Sequence, residues 1–396
     1  MAFLFRMVPV RWGAKMTPVL FLSIYVLSAA FSNAMTDSEW TEWLQYIKKT
    51  SSSRAFLDSK VSLPSSQVRF TEDSCLKAST VVTVNGTNVN TQHRFVSKDG
   101  SGNFTTIQAA IESIPKHNEI PTLICIGAGE YREKVQIRKT RRFITIIGSS
   151  SGNTIIRWND TASTISPQTS LPMKTYNSPT MSVNADFFVA WNIIVENDAP
   201  PPQQGQIDGQ AVAFRISGNY GALYNCKFLG HQDTLYDHKG RHYFKHCFIQ
   251  GNVDFIFGNG RSIYKDCYAR ALPIEYESVG AVTAQKRGFS NFDSGFSFLN
   301  CNISGDGKVY LGRAWGNESR VVFAYTWMGD VVVPEGWNDF GFPARERTVF
   351  YAEYECSGPG ANNSTRVSWA RQLTPDEAQP FLSVGFINGE EWLLDI

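Results

Sequence analysis

The sequence predicts an all-β protein wound as a right-handed parallel β-helix, with short capping helices at both ends. Three observations carry that expectation. After Pro115 helix signals vanish for roughly two hundred residues and short β-rich runs take over. Gly, Asn and Asp separate these runs, and a cysteine-bearing unit returns in phase.

The runs are Thr122–Ile126, Phe143–Ile147, Thr154–Ile156, Met181–Val183, Phe187–Val195, Ala211–Ile216, Ala222–Leu229, Arg241–Ile249 and Val253–Phe257. Such spacing suits a sandwich, a barrel or a solenoid. Phase separates them. Asn225-Cys226, His246-Cys247, Asp266-Cys267 and Asn300-Cys301 are variants of one unit, and their cysteines step by 21, 20 and 34 residues. A period near 20 is that of stacked β-coils, and the longer step leaves room for one enlarged coil. A sandwich has no reason to hold a cysteine in phase for three turns. Upstream, Thr105-Thr-Ile-Gln108 matches a capping box, with Ile107, Ala110, Ile111 and Ile114 following at helical spacing. Near the end, Thr374-Pro-Asp-Glu377 opens a closing helix with a capping box and Pro at its first position.

Residues 1–34 read as a secretory signal: Arg6, Arg11 and Lys15 precede the apolar run Thr17–Phe31, and Ser32-Asn33-Ala34 supplies a small-x-small cleavage pattern. The run holds 15 residues, short of the ~20 that span a membrane, so no membrane association is expected once the signal is removed. Residues 35–92 are expected to form a leader, with an amphipathic helix over Ser38–Lys49 and a low-order remainder, and residues 93–396 the catalytic domain. Seven N-glycosylation sequons, at Asn85, Asn103, Asn159, Asn302, Asn317, Asn362 and Asn363, agree with a secreted, extracellular destination.

Of 396 residues, 13% are aromatic and 18% charged, which suits a carbohydrate-facing surface. Without residues 1–34, which hold three of the 37 Lys+Arg and no acid, 34 cations face 36 acids, so bulk charge selects no partner. No basic stripe for nucleic acid is present. The seven cysteines include no Cys-x-x-Cys or Cys/His metal pattern, so no structural metal is expected. Cys247 and Cys267, one coil apart, are within reach of a disulfide. A stack of buried free thiols is the alternative.

The same period aligns polar residues. Gln210 and Gln232 differ by 22 positions, and Asp233 and Asp254 by 21. Parallel strands lie about 4.8 Å apart, so the carboxylates should face each other on neighbouring coils with an amide beside each. Two acids that close cannot both ionise easily, so the pair supplies a proton donor and an anionic nucleophile. The amides suit a developing oxyanion, and Arg313 is a candidate to keep one carboxylate charged. Such a set fits acyl transfer at an ester better than glycosidic cleavage. The bland readings are corner residues for the aspartates, an amide ladder for the glutamines, an ordinary ion pair for Arg313 and core packing for Trp315.

Five segments carry a resemblance. Gly129-Glu-Tyr-Arg-Glu133, Gln210-Ala-Val-Ala-Phe214, Gln232-Asp-Thr-Leu235, Asp254-Phe-Ile-Phe-Gly258 and Leu311-Gly-Arg-Ala-Trp315 resemble, in order and spacing, the signature segments of plant pectin methylesterases. The likeness runs from Lys98 to Leu393 and marks the short subclass without the inhibitor-like pro-region. It implies hydrolysis of C6 methyl esters of homogalacturonan during cell wall modification, with no cofactor. Asp254 would be the nucleophile and Asp233 the acid and then base. Gln210 and Gln232 would hold the oxyanion, and Arg313 would hold Asp254. Thr180 and Trp315, with Gln210 and Arg313, would meet the sugar. Tyr131 and Glu133 read as structural. The partners implied are pectin and proteinaceous inhibitors, and a monomer is expected. Where the family usually has Pro, this chain has Ala314, which predicts a slightly looser loop. A glycan at Asn317, two residues past Trp315, is expected to be absent or to point away. A polygalacturonase would be expected to carry Asp-Asp and Gly-His-Gly segments, which this chain lacks, and a calcium-dependent lyase a cluster of four acids where two stand here. A non-catalytic wall-binding β-helix is the third reading.

Overall fold

The computed structural model describes residues 81–84, 87–149, 151–275 and 279–393. The signal, the helix expected over Ser38–Lys49 and most of the leader lie outside the described residues. The part of the leader that is described departs from expectation: Val81–Val84 and Thr87–Asn90 pair as an antiparallel hairpin, and the strand Gln92–Val96 already belongs to the first coil of the main body.

That body is a right-handed parallel β-helix of three sheets, here I, II and III, with 11, 8 and 8 strands. Each coil contributes one strand to each sheet in turn, so sheet neighbours are three strands apart in the chain, except at the two ends of sheet I, where consecutive strands pair. The register is in phase from coil to coil. In sheet I, Leu223 pairs with Phe244, Phe244 with Tyr264, Tyr264 with Phe298, and Phe298 with Phe323. Residues in register stack, and inside the helix they form a continuous aromatic column. Phe244–Tyr264, Tyr264–Phe298 and Phe298–Phe323 have ring centroids 4.7, 4.5 and 4.4 Å apart.

Several long β runs of the sequence are two strands each. Phe188–Trp191 lies in sheet I and Ile193–Asn197 in sheet II, with Asn192 at φ 57° between them. The same left-handed corner recurs at Asn225, His246, Asp266, Asn300, Tyr325 and Glu355. Asn and Asp tolerate that conformation best among non-glycine residues, which is why the repeated unit so often begins with one of them. Their side chains also link the coils: Asn225 Nδ2 donates to Asn192 Oδ1 at 2.8 Å, and Asn300 Nδ2 to Asp266 Oδ1 at 2.6 Å.

The cysteine after each corner points inward. Cys226, Cys247, Cys267 and Cys301 are buried free thiols, so the disulfide expected between Cys247 and Cys267 is corrected to the thiol stack. The reason lies at the corner, where each thiol meets the carbonyl two residues back. Cys247 Sγ is 3.6 Å from Lys245 O and Cys267 Sγ is 3.3 Å from Lys265 O, while Cys267 Sγ accepts from Cys247 N at 3.4 Å. Cys125 is disulfide-bonded.

Both capping helices are present. The first, Ile107–Glu112, buries Ile107, Ala110 and Ile111. Its cap differs from the expected Thr105–Gln108 box: Thr106 is the N-cap, and Glu133 accepts from the Ile107 and Gln108 amides at 2.8 and 2.9 Å. Glu133 and the buried Tyr131 are structural, as read. The closing helix, Pro375–Ala378, has the full Thr374–Glu377 box. A third helix, Lys174–Asn177, lies in the stretch where none was expected.

Candidate active site

The site is built on the outer face of sheet III. Leu235 pairs with Ile256 in register, and Asp233 and Asp254 each stand two residues before that pair. Asp233 N donates to Val253 O at 3.0 Å, which locks the two coils together at this point. Both aspartates have positive φ, 63° and 50°. They are therefore corner residues and candidate catalytic residues at once, because the left-handed turn at the strand entrance aims the side chains out of the core. Asp is one of the few residue types that accept such a backbone cheaply.

Each aspartate is only 8% exposed. Burial raises the carboxyl of Asp233 well above the usual range, the charge of Asp254 adds to this, and Arg313 opposes it. Burial also raises Asp254, and there the direct hydrogen bonds and charge of Arg313 offset the rise only in part. The offset is geometric: Arg313 Nε and Nη2 reach Asp254 Oδ1 and Oδ2 at 2.8 and 2.6 Å, a bidentate clamp. The two neighbouring acids are thus set apart: both lie above the ordinary carboxylate range, Asp233 well above it and Asp254, held by Arg313, less far.

Arg313 is itself fixed. Its guanidinium lies over the Phe340 ring at 4.6 Å, and its carbonyl accepts from Tyr351 OH at 2.8 Å. Next to it, the expected loosening at Ala314 is not found: Ala314 N donates to Asn338 O at 2.9 Å and Arg345 Nη1 to Ala314 O at 2.6 Å. Proline would have no proton for the first bond. Asn317 is exposed, and its Oδ1 accepts from Arg345 Nε at 3.1 Å.

Gln210 and Gln232 are half-buried and their side chains make no hydrogen bond among the described residues. Gln210 Oε1 is buried without a partner. The amide-ladder reading is therefore not what the structure shows, and both amides remain open to a ligand. Trp315 packs on an outward strip of Val212, Tyr236, Phe257 and Ala284. Its ring is 6.0 Å from Phe257, which stacks on Tyr236 at 4.1 Å. Thr180 requires correction. It is fully buried, with its hydroxyl donating to Glu196 O at 2.9 Å and its amide to Val212 O at 3.1 Å, so it supports the wall and does not face a sugar. The sequence reading missed Tyr176, Arg215 and Lys286 beside this strip, since residues whose partners come from other coils carry no local signal.

Fold and site together define a parallel β-helix protein with two neighbouring acids on its outer face, one of them clamped by an arginine. The pectinesterase family model matches residues 93–390. Probable pectinesterase 8 of Arabidopsis thaliana is 46% identical over 308 residues, covering 76% of this chain and 77% of that protein. Pectinesterase QRT1 of the same plant is 44% identical over 300 residues, covering 75% and 78%. Among solved structures, pectin methylesterase from carrot superposes with a TM-score of 0.69 at 34% identity, covering 76% of this chain and 94% of that one. The chain belongs to the pectinesterase family. It is a carboxylic ester hydrolase that acts on the methyl esters of pectin.

Proposed function

We propose that Asp254 is the nucleophile and Asp233 the acid and base of a two-step ester hydrolysis. The observation that carries this is the bidentate Arg313–Asp254 clamp beside an unclamped, buried Asp233. Asp254 attacks the C6 carbonyl, forming an acyl-enzyme anhydride, while the proton on Asp233 goes to the departing methoxide and methanol leaves. Asp233, now ionised, takes a proton from water, and the hydroxide formed attacks the anhydride, freeing the pectate carboxylate and restoring Asp254. The unpartnered amides of Gln210 and Gln232 donate to the oxyanion in both steps. Trp315 and the Tyr236–Phe257 strip lie along the sugar ring.

The protein is secreted to the cell wall, acts as a monomer and is open to proteinaceous inhibitors at the cleft. Incubating the secreted protein with methylated pectin tests the activity: methanol appears without new reducing ends or unsaturated products. Chain scission without methanol would overturn it.

A further inference from the structure

The outer face of sheet II carries an aromatic strip that the ester chemistry does not use. On the strands Phe248–Gly251, Tyr268–Ala271, Asn302–Gly305 and Trp327–Met328, the residues Ile249, Ala269, Ile303 and Met328 are buried in the core. Side chains alternate along a strand, so their neighbours Phe248, Tyr268, Asn302 and Trp327 point outward. The register puts these four in one column: Phe248 pairs with Tyr268, Tyr268 with Asn302, and Asn302 with Trp327. Phe248 and Tyr268 stack with ring centroids 5.4 Å apart, while Tyr268 is 37% exposed and Trp327 41%. Scattered exposed aromatics are ordinary, but a contiguous strip marks a surface that something covers.

The one amide in this column opens the sequon Asn302-Ile303-Ser304. Asn302 and Ser304 are half-exposed on the outer face, and Ile303 fills the core between them. The Tyr268 hydroxyl is hydrogen-bonded to Ser304 Oγ, so its ring lies along one side of the sequon. A Cβ placed on Gly329 would lie 3.3 Å from Trp327 Cζ3 and 3.5 Å from Ser304 Cβ, which puts the indole against the other side. Asn302 Oδ1 is shut away from water without a hydrogen-bond partner, whereas Nδ2 is not. An unpartnered buried carbonyl oxygen calls for a reason, and here it holds the amide with its nitrogen outward. Other sequon amides are tied into their own surroundings instead. Asn103 Oδ1 accepts from Phe95 N at 3.2 Å, Asn317 Oδ1 from Arg345 Nε at 3.1 Å and Asn362 Oδ1 from Ser364 N at 3.1 Å.

We propose that Asn302 carries an N-linked glycan whose first sugar is seated between the rings of Tyr268 and Trp327. This rests on the secretory reading above, because the donor is a lipid-linked diphosphate oligosaccharide of the secretory route. In the transfer, Asn302 Nδ2 attacks C1 of the first sugar. The N–C1 bond forms, the C1–O bond breaks with its electron pair staying on the lipid diphosphate, and the amide gives up one proton. The C–H face of a pyranose packs on the faces of aromatic rings while its hydroxyls stay in water. The glycan therefore covers the strip that the fold leaves open. The strip belongs to sheet II and the acids Asp233 and Asp254 to sheet III, so a glycan seated here leaves the cleft free.

The test is glycopeptide mapping of the secreted protein, followed by digestion of the native protein with a peptide N-glycosidase. The Asn302 peptide should carry glycan in most molecules. That glycan should be released roughly fivefold more slowly than from the Trp327→Ala protein, the order of one aromatic contact. Trp327→Phe should keep most of the protection, since it keeps an aromatic face at the seat. Tyr268→Ala, at the other side of the sequon, decides the matter if Trp327→Ala fails to fold. An unmodified Asn302 in a protein that carries glycan at other sequons overturns the site. Equal release rates from the wild-type protein and the folded ring variants overturn the seat. A secreted protein with no glycan at any sequon overturns the inference as well, and one that is not secreted at all overturns the secretory reading beneath it.

Discussion

At the scale of single residues, the proposed chemistry rests on the different surroundings of Asp233 and Asp254. Activity should fall at low pH as Asp254 takes up a proton, and at high pH as Asp233 loses its own. Arg313→Gln removes the clamp that offsets the burial of Asp254. Its acidic limb should therefore move to higher pH in a methanol-release profile, and an unmoved limb would deny the clamp this role. Asp233 also bears on stability. Its folded-state value is raised above the ordinary 3.8, so folding takes up a proton in the window between the two values. Stability is fully present below 3.8 and is lost as pH rises through the folded value. Asp233→Asn removes that dependence. It should be more thermostable than wild type near neutral pH by roughly a few degrees, with the gap closing toward pH 4. Thermal melts across pH check this.

At the scale of elements, what the sequence made legible is what repeats. The Cys226, Cys247 and Cys267 phase and the Asp233–Asp254 spacing both follow from stacking coils of nearly constant length, and both locate residues correctly. What it hid depends on partners from elsewhere or on backbone angles. The split of Phe187–Val195 at Asn192 turns on one positive φ inside an unbroken apolar run. Glu133 caps a helix 25 and 26 residues upstream of itself. Thr180 lies close to the site in the fold, yet its hydroxyl is taken by a backbone carbonyl of another strand. Arg215 sits under Tyr176 of the short helix Lys174–Asn177, a contact with no periodicity to read. The Glu133 cap makes a direct prediction. Glu133→Ala leaves two helix amides without their charged acceptor and should cost about 1–2 kcal/mol in denaturant melts, with kcat unaffected.

At the scale of the whole molecule, the coils are held in phase by in-register columns and by a few buried polar links that cross between coils. His242 is fully buried, its Nδ1 2.6 Å from Asp237 Oδ1 and its Nε2 2.8 Å from Gly218 O. Together with Tyr264 this ties three successive coils. His242→Phe would strand Asp237 in the core and should lower stability by about 3–5 kcal/mol in denaturant melts. Nearer the C-terminal end, Arg366 and Glu353 form a second buried pair, with Trp337 Nε1 donating to Glu353 at 3.3 Å. In the proposed mechanism such rigidity keeps two short acidic side chains on adjacent coils at a fixed separation while a long polymer passes over them. The most direct measurement is therefore turnover by the Asp254→Asn protein. Methanol release from methylated pectin should fall by about a thousandfold or more, while binding to the same pectin stays close to wild type. A variant that binds normally and still releases methanol at the wild-type rate would contradict the account.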